Sequence, residues 1–131
     1  MNEPEDGLIE LGVAGNLARR YAEDQRDFAD YLAAILESAL PGETRIERKG
    51  GLFSEKKIST IQVHLGDYLY RLEIPPHGSL KPSRTKIVRG IKLSTSSMIM
   101  QDWLDALAAA MSEYASTSLE ASEALQKLMQ A

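Results

Sequence analysis

Residues 57–74 read KISTIQVHLGDYLYRLEI, and this stretch decides the fold. Apolar and polar side chains alternate on both sides of Gly66-Asp67. A period of two marks a strand with one buried face. Gly followed by Asp suits a two-residue type II′ hairpin turn. That turn sets the register: Leu65 faces Tyr68, Val63 faces Tyr70, and Ile61 faces Leu72. These six side chains share one face, with Ile74 beyond them. The other face carries Thr60, Gln62 and His64 opposite Glu73, Arg71 and Leu69. Turn chemistry and side-chain pattern agree independently, so the segment predicts an antiparallel hairpin covered on one side.

Working outward, residues 43–49 alternate and predict an edge strand whose charges deter unwanted pairing. Gly50-Gly51 marks a turn. Residues 75–83 form a loop by composition, rich in Pro, Gly and Ser. Residues 84–93 predict a further strand, with Thr85, Ile87, Ile91 and Leu93 on one parity. Arg89 breaks that parity, and Gly90 beside it suits a bulge that re-aims it.

Helical periodicity brackets this meander. Over residues 8–40, Leu17, Tyr21, Phe28, Leu32, Ile35 and Leu36 recur at spacings of three, four and seven. Asn16 suits an N-cap, and Pro41-Gly42 ends the helix. Ser94 to Ser97 read as helix-entry residues for a second helix over 98–130. Trp103, Leu104, Leu107, Met111 and Tyr114 mark its apolar stripe, continued by Leu119, Leu125 and Leu128. Thr117-Ser118-Leu119-Glu120 fits a capping box, so a break near 116–118 and a continuous helix both stand.

The expected fold is α+β, one domain over residues 1–131. An antiparallel meander of three to four strands (43–49, 57–65, 68–74, 84–93) has one face covered by long N-terminal and C-terminal helices. A helix of 33 residues spans roughly 50 Å, against about 27 Å for an eight-residue strand. Unbroken helices would overhang the sheet and need cover, which predicts a homodimer.

Size and composition exclude several classes. The chain has 131 residues, 44% hydrophobic and 26% charged, ordinary values for a globular domain. No apolar run is long enough to span a membrane. The first residues are acidic, the wrong sign for a signal or transit peptide. The absence of Cys removes disulfides and thiolate chemistry. A cytoplasmic protein with no membrane association is expected.

Catalytic constellations are missing too. His64 and His77 are the only histidines, and neither has metal-ligand spacing. Ser79 lacks the Gly-x-Ser-x-Gly context of a nucleophile elbow. Acid pairs such as Asp27/Asp30 and Asp102/Asp105 sit on helix faces, where solvent is their usual neighbour. The glycines of 49–57 lack phosphate-loop spacing and precede a strand, which reads as a charged β-turn. No enzyme, cofactor or metal site is expected.

The charges are sorted by position. Residues 44–92 hold 11 of the 15 basic side chains and 4 of the 19 acids. Two basic stretches stand out. Arg45, Arg48, Lys49, Lys56 and Lys57 surround the Gly50-Gly51 turn, a candidate surface for an anion or an acidic partner. Lys81, Arg84, Lys86, Arg89 and Lys92 line the last loop and strand. If both share an edge or a face, the surface there is strongly positive. The cheapest explanation is complementary packing, in which Asp27, Asp30, Asp102 or Asp105 neutralises Arg84, Arg89 or Lys92, within one chain or across a dimer. That leaves the five residues around Gly50-Gly51, where no acidic helix is expected to reach. The expected function is a non-catalytic, homodimeric binding or adaptor protein for another protein. The alternative is a nucleic-acid-associated protein using residues 45–57. A sequence pI of about 5.2 and an outer sheet face without stacking aromatics weigh against it.

The order helix, meander, helix in a small acidic chain is similar to two groups of bacterial proteins. One is the small nucleoid-associated proteins that dimerise through such an arrangement. The other is the acidic dimeric chaperones that escort secretion effectors. The likeness is architectural, no motif carries over residue by residue, and fold likeness does not carry function.

Overall fold

The computed structural model describes residues 4–53 and 55–117. They form a five-stranded antiparallel sheet in chain order, β1 (Thr44–Lys49), β2 (Lys57–Leu65), β3 (Tyr68–Glu73), β4 (Lys81–Val88) and β5 (Ile91–Ser97). Helices α1 (Pro4–Glu23) and α2 (Gln25–Ala39) precede it, and α3 (Met100–Ala115) follows. The α+β class is as expected; the strand count and the helix lengths differ.

The deciding hairpin forms as its sequence dictates. Leu65 pairs with Tyr68, Val63 with Tyr70 and Ile61 with Leu72. Gly66 takes a φ of 61°, the left-handed value a type II′ turn needs at its first central position. Ile61, Val63, Leu65, Tyr70 and Leu72 are buried against α2 and α3. Among the described residues, the helices pack on this face of the sheet.

The N-terminal helix, expected over 8–40, is two helices. Asp24 is the joint: its side-chain Oδ1 accepts the Asp27 N–H at 3.3 Å, an N-cap for α2. Main-chain bonds still cross the joint, Asp24 N–H to the Arg20 carbonyl and Phe28 N–H to the Asp24 carbonyl. Packing drives the break, because α1 lies mainly against α3 and α2 while α2 lies on β1 and β2. Tyr31 donates to Asn16 Oδ1 at 2.6 Å, and the Arg20 guanidinium stacks over Tyr31. The overhang argument therefore fails for the N-terminal segment. For the C-terminal segment it rests on Leu119, Leu125 and Leu128, which lie outside the described residues, as does the capping-box break at Ser118.

The strand expected over 84–93 is two strands. Arg89 and Gly90 have φ values of 53° and 79°. Positive φ at both central positions suits a type I′ hairpin turn, not the bulge expected at Gly90. The irregularity falls earlier, between Lys86 and Ile87. Ser94 to Ser97, expected to enter a helix, belong to β5, and the loop expected to run to residue 83 gives up Lys81, Pro82 and Ser83 to β4. Pairing outweighs the local capping preference of serine here. Thr85 and Thr95 bond through their hydroxyls at 2.8 Å, and Met98 N–H reaches the Pro82 carbonyl. Helix α3 starts at Met100 with no side-chain cap from Ile99.

Trp103, Phe28, Leu17, Leu32, Leu36, Leu104, Leu107 and Met111 complete the core. Trp103 Nε1 donates to the Ser83 carbonyl at 2.9 Å, so its buried polar atom is satisfied. No helix among the described residues is long and apolar enough to cross a membrane.

Candidate docking site

Four of the five basic residues singled out in the sequence, Arg48, Lys49, Lys56 and Lys57, lie in or beside the loop between β1 and β2, and Arg45 lies near the start of β1. All five are exposed. Arg45 pairs with Gln62 and lies on the open sheet face. The register then shifts between Glu47 and Arg48, where Ser59 adds a residue to β2 and its hydroxyl donates to the Glu47 carbonyl. A bulge of this kind re-aims the side chains beyond it. Ile58 turns to the helix side and packs on the core, and Lys57 turns to the open face. Lys57 is then the direct partner of Lys49.

Arg48 takes the other side. Its Nη2 lies 3.3 Å from Glu37 Oε1 of α2. An acidic helix therefore does reach the turn, contrary to expectation, and one of the five cations is engaged by it. Lys56 runs over the loop, its Cε and Cγ about where a side chain on Gly51 would point. Gly50 and Gly51 have φ values of 106° and 137°, where glycine is strongly favoured.

That backbone throws two side chains into solvent. Leu52 is 91% exposed and Phe53 98%. They stand in the loop, with Lys49 before them and Lys56 and Lys57 after them in the chain, while Arg45 lies further back along β1 opposite Gln62. Sequence reasoning missed both by treating residues 49–57 as a charged turn. The available signal was two large apolar residues between a Gly-Gly pair and a charged run, outside any strand alternation.

The second basic stretch does not join this surface. It lies on β4 and β5, at the opposite edge of the sheet from β1. Lys81 pairs with Glu73, which also accepts from Arg71 at 3.2 Å. Among the described residues, Arg48–Glu37 is the one ion pair joining a helix to the sheet. Among the described residues, Asp27, Asp30, Asp102 and Asp105 form no ion pair with Arg84, Arg89 or Lys92.

Arg84 sits on the covered face, opposite Tyr70, with its guanidinium 4.0 Å from the Tyr68 ring centroid. These three side chains floor a groove of about 410 Å³ walled by Ala106, Ala109 and Ala110 of α3, with Glu113 at its rim. Burial pushes the Tyr70 phenol above its ordinary value of 10.0, and the hydrogen bond and charge of Arg84 oppose that rise. His64, Arg71 and His77 lie outside the groove. Among the described residues no group of three or more His, Cys, Asp or Glu is placed to hold a metal ion.

Neither a protein-family model, nor a curated protein, nor a solved structure matches this chain.

Proposed function

We propose that this protein is a non-catalytic, homodimeric binding or adaptor module that docks an acidic protein surface through its β1–β2 loop. The near-complete exposure of Leu52 and Phe53 in a loop flanked by Lys49, Lys56 and Lys57 supports the reading. Full burial of such a side chain stabilises by roughly 1.5–3 kcal/mol over exposure. Like charges directly across a strand pair cost up to about 1 kcal/mol, and Lys49 faces Lys57. The free loop therefore carries unfavourable features that a partner with an apolar pocket and an acidic rim relieves. An aromatic anchor with charged surroundings is the usual anatomy of a binding hot spot.

The test uses a labelled acidic peptide bearing two apolar residues as probe, read by fluorescence anisotropy. Phe53→Ser and the pair Lys49→Glu/Lys57→Glu should each weaken binding at least tenfold without changing the fold, since all three positions are exposed. Two control arms use duplex DNA at low and high salt and vesicles containing phosphatidylserine. Tight DNA binding that collapses with salt and ignores Phe53→Ser would establish the nucleic-acid reading instead. Vesicle binding that needs Phe53 would replace the protein partner with a lipid surface.

A further inference from the structure

We propose that the groove under α3 binds a small zwitterion with an apolar body, its carboxylate on Arg84 and its ammonium on the acids at the mouth. The groove takes in the β2–β3 turn, at the other end of the sheet from the β1–β2 loop, and does not depend on docking there. The first observation is an arginine without an anion. Arg84 is half-buried, yet among the described residues it forms no ion pair. Two tyrosines fix its guanidinium instead. It lies 4.0 Å from the Tyr68 ring centroid and donates to the Tyr70 hydroxyl. A guanidinium presents its N–H donors in a rigid planar fork, and Tyr70 takes only part of that fork. A partly desolvated cation without a counter-charge is unfavourable, and a carboxylate matches the fork in bidentate fashion.

The second observation is space. The groove holds about 410 Å³, inside the range of roughly 300–1,000 Å³ usual for small-molecule sites. Ala106, Ala109 and Ala110 form its α3 wall and are only partly buried. Elsewhere on the same helix Trp103, Leu104, Leu107 and Met111 fill the space against the sheet completely. The alanines leave room that a larger side chain would take. With Leu65 contributing from the sheet, they offer an apolar body a surface to cover.

The third observation is the order of the charges. Asp67 and Glu113 also line the groove, and both are exposed. Neither comes within ion-pair distance of Arg84. The half-buried floor is therefore cationic, and the solvent side of the lining is anionic. A simple carboxylate that reaches Arg84 is repelled at the mouth. A simple amine attracted to the mouth meets Arg84 behind it. A molecule carrying both charges meets each with its opposite, so the lining selects by repulsion as well as attraction. For so small a ligand in an open groove, affinity of roughly millimolar order is expected.

Nitrogen-15 NMR titration of the full chain tests this, with ε-aminocaproate and leucine as zwitterionic probes. Hexanoate and hexylamine are the single-charge controls. At least one zwitterion should shift the Arg84 Nε–H signal and the amides of Gly66, Asp67 and Ala110 in a saturable way. Hexanoate and hexylamine should bind about tenfold more weakly, the effect of one lost charged hydrogen bond. Arg84→Gln and the groove-filling Ala109→Leu should each abolish the shifts. Glu113→Gln, at an exposed position and therefore safe for folding, should weaken the zwitterion and leave hexanoate no weaker. Phe53→Ser should change nothing, which separates this site from the β1–β2 loop. Absence of saturable shifts with both zwitterions overturns the site. Hexanoate binding as tightly as ε-aminocaproate overturns the zwitterion, and shifts that survive Arg84→Gln and Ala109→Leu overturn the location.

Discussion

Tyr70 shows how a single side chain reads its surroundings. Its ring is part of the core, and its hydroxyl meets Arg84 in the groove under α3. Burial raises its pKa above 10.0; Arg84 pulls it back by hydrogen bond and charge, while Tyr68 and Glu113 push it up. The folded state holds this proton more tightly than the unfolded chain does. The linked stability is therefore full below pH 10.0 and is lost as pH rises through the folded value. Arg84→Gln removes the opposing cation. The Tyr70 titration, isolated as the ultraviolet difference between each protein and its Tyr70→Phe counterpart, should then move to higher pH. An unchanged titration would mean that Arg84 does not govern the phenol. The sequence hid this pairing because residues 84–93 read as one strand, which grouped Arg84 with the solvent-facing cations. Only the register, with Arg84 opposite Tyr70, turns it under the helix.

At the scale of elements, the Arg89–Gly90 turn is the one place where a non-glycine residue among those described takes a positive φ. Left-handed backbone is costly for an L-residue with a long side chain, and asparagine bears it best. Asn-Gly is the favoured type I′ dipeptide. Arg89→Asn should therefore stabilise the protein by up to about 1 kcal/mol, seen as a higher urea midpoint with an unchanged slope. A lower midpoint would show that Arg89 makes a contact worth more than the strain. The same turn marks the limit of what could be read beforehand. The 57–74 hairpin was legible because a Gly-Asp turn and two alternating strands agree. The β4–β5 hairpin was not, because Arg-Gly is a poor signal and the Lys86/Ile87 irregularity breaks its alternation. Serines that favour helix caps then disguised the second strand. Likewise the break at Asp24 was hidden by apolar periodicity that continues across it, although Asp24 itself is a good cap. At the loop, the cations were legible from their number alone. Leu52 and Phe53 were not, because exposure is a property of the folded chain.

At the scale of the molecule, strand order fixes where the connecting loops lie. Successive antiparallel strands put the β1–β2 and β3–β4 connections at one end of the sheet and the β2–β3 and β4–β5 connections at the other. β1 is one edge and β5 the other. The β1–β2 loop that carries Phe53 therefore lies at the end of the sheet away from the Arg89–Gly90 turn. If that loop alone engages an acidic peptide, each chain should bind one peptide, and a substitution at the far end should not touch the affinity. Arg89→Asn should accordingly leave the peptide dissociation constant unchanged in the anisotropy titration, while Phe53→Ser weakens it at least tenfold. Equal losses from both substitutions would mean that the peptide contacts both ends of the sheet and that the β1–β2 loop is not the docking element.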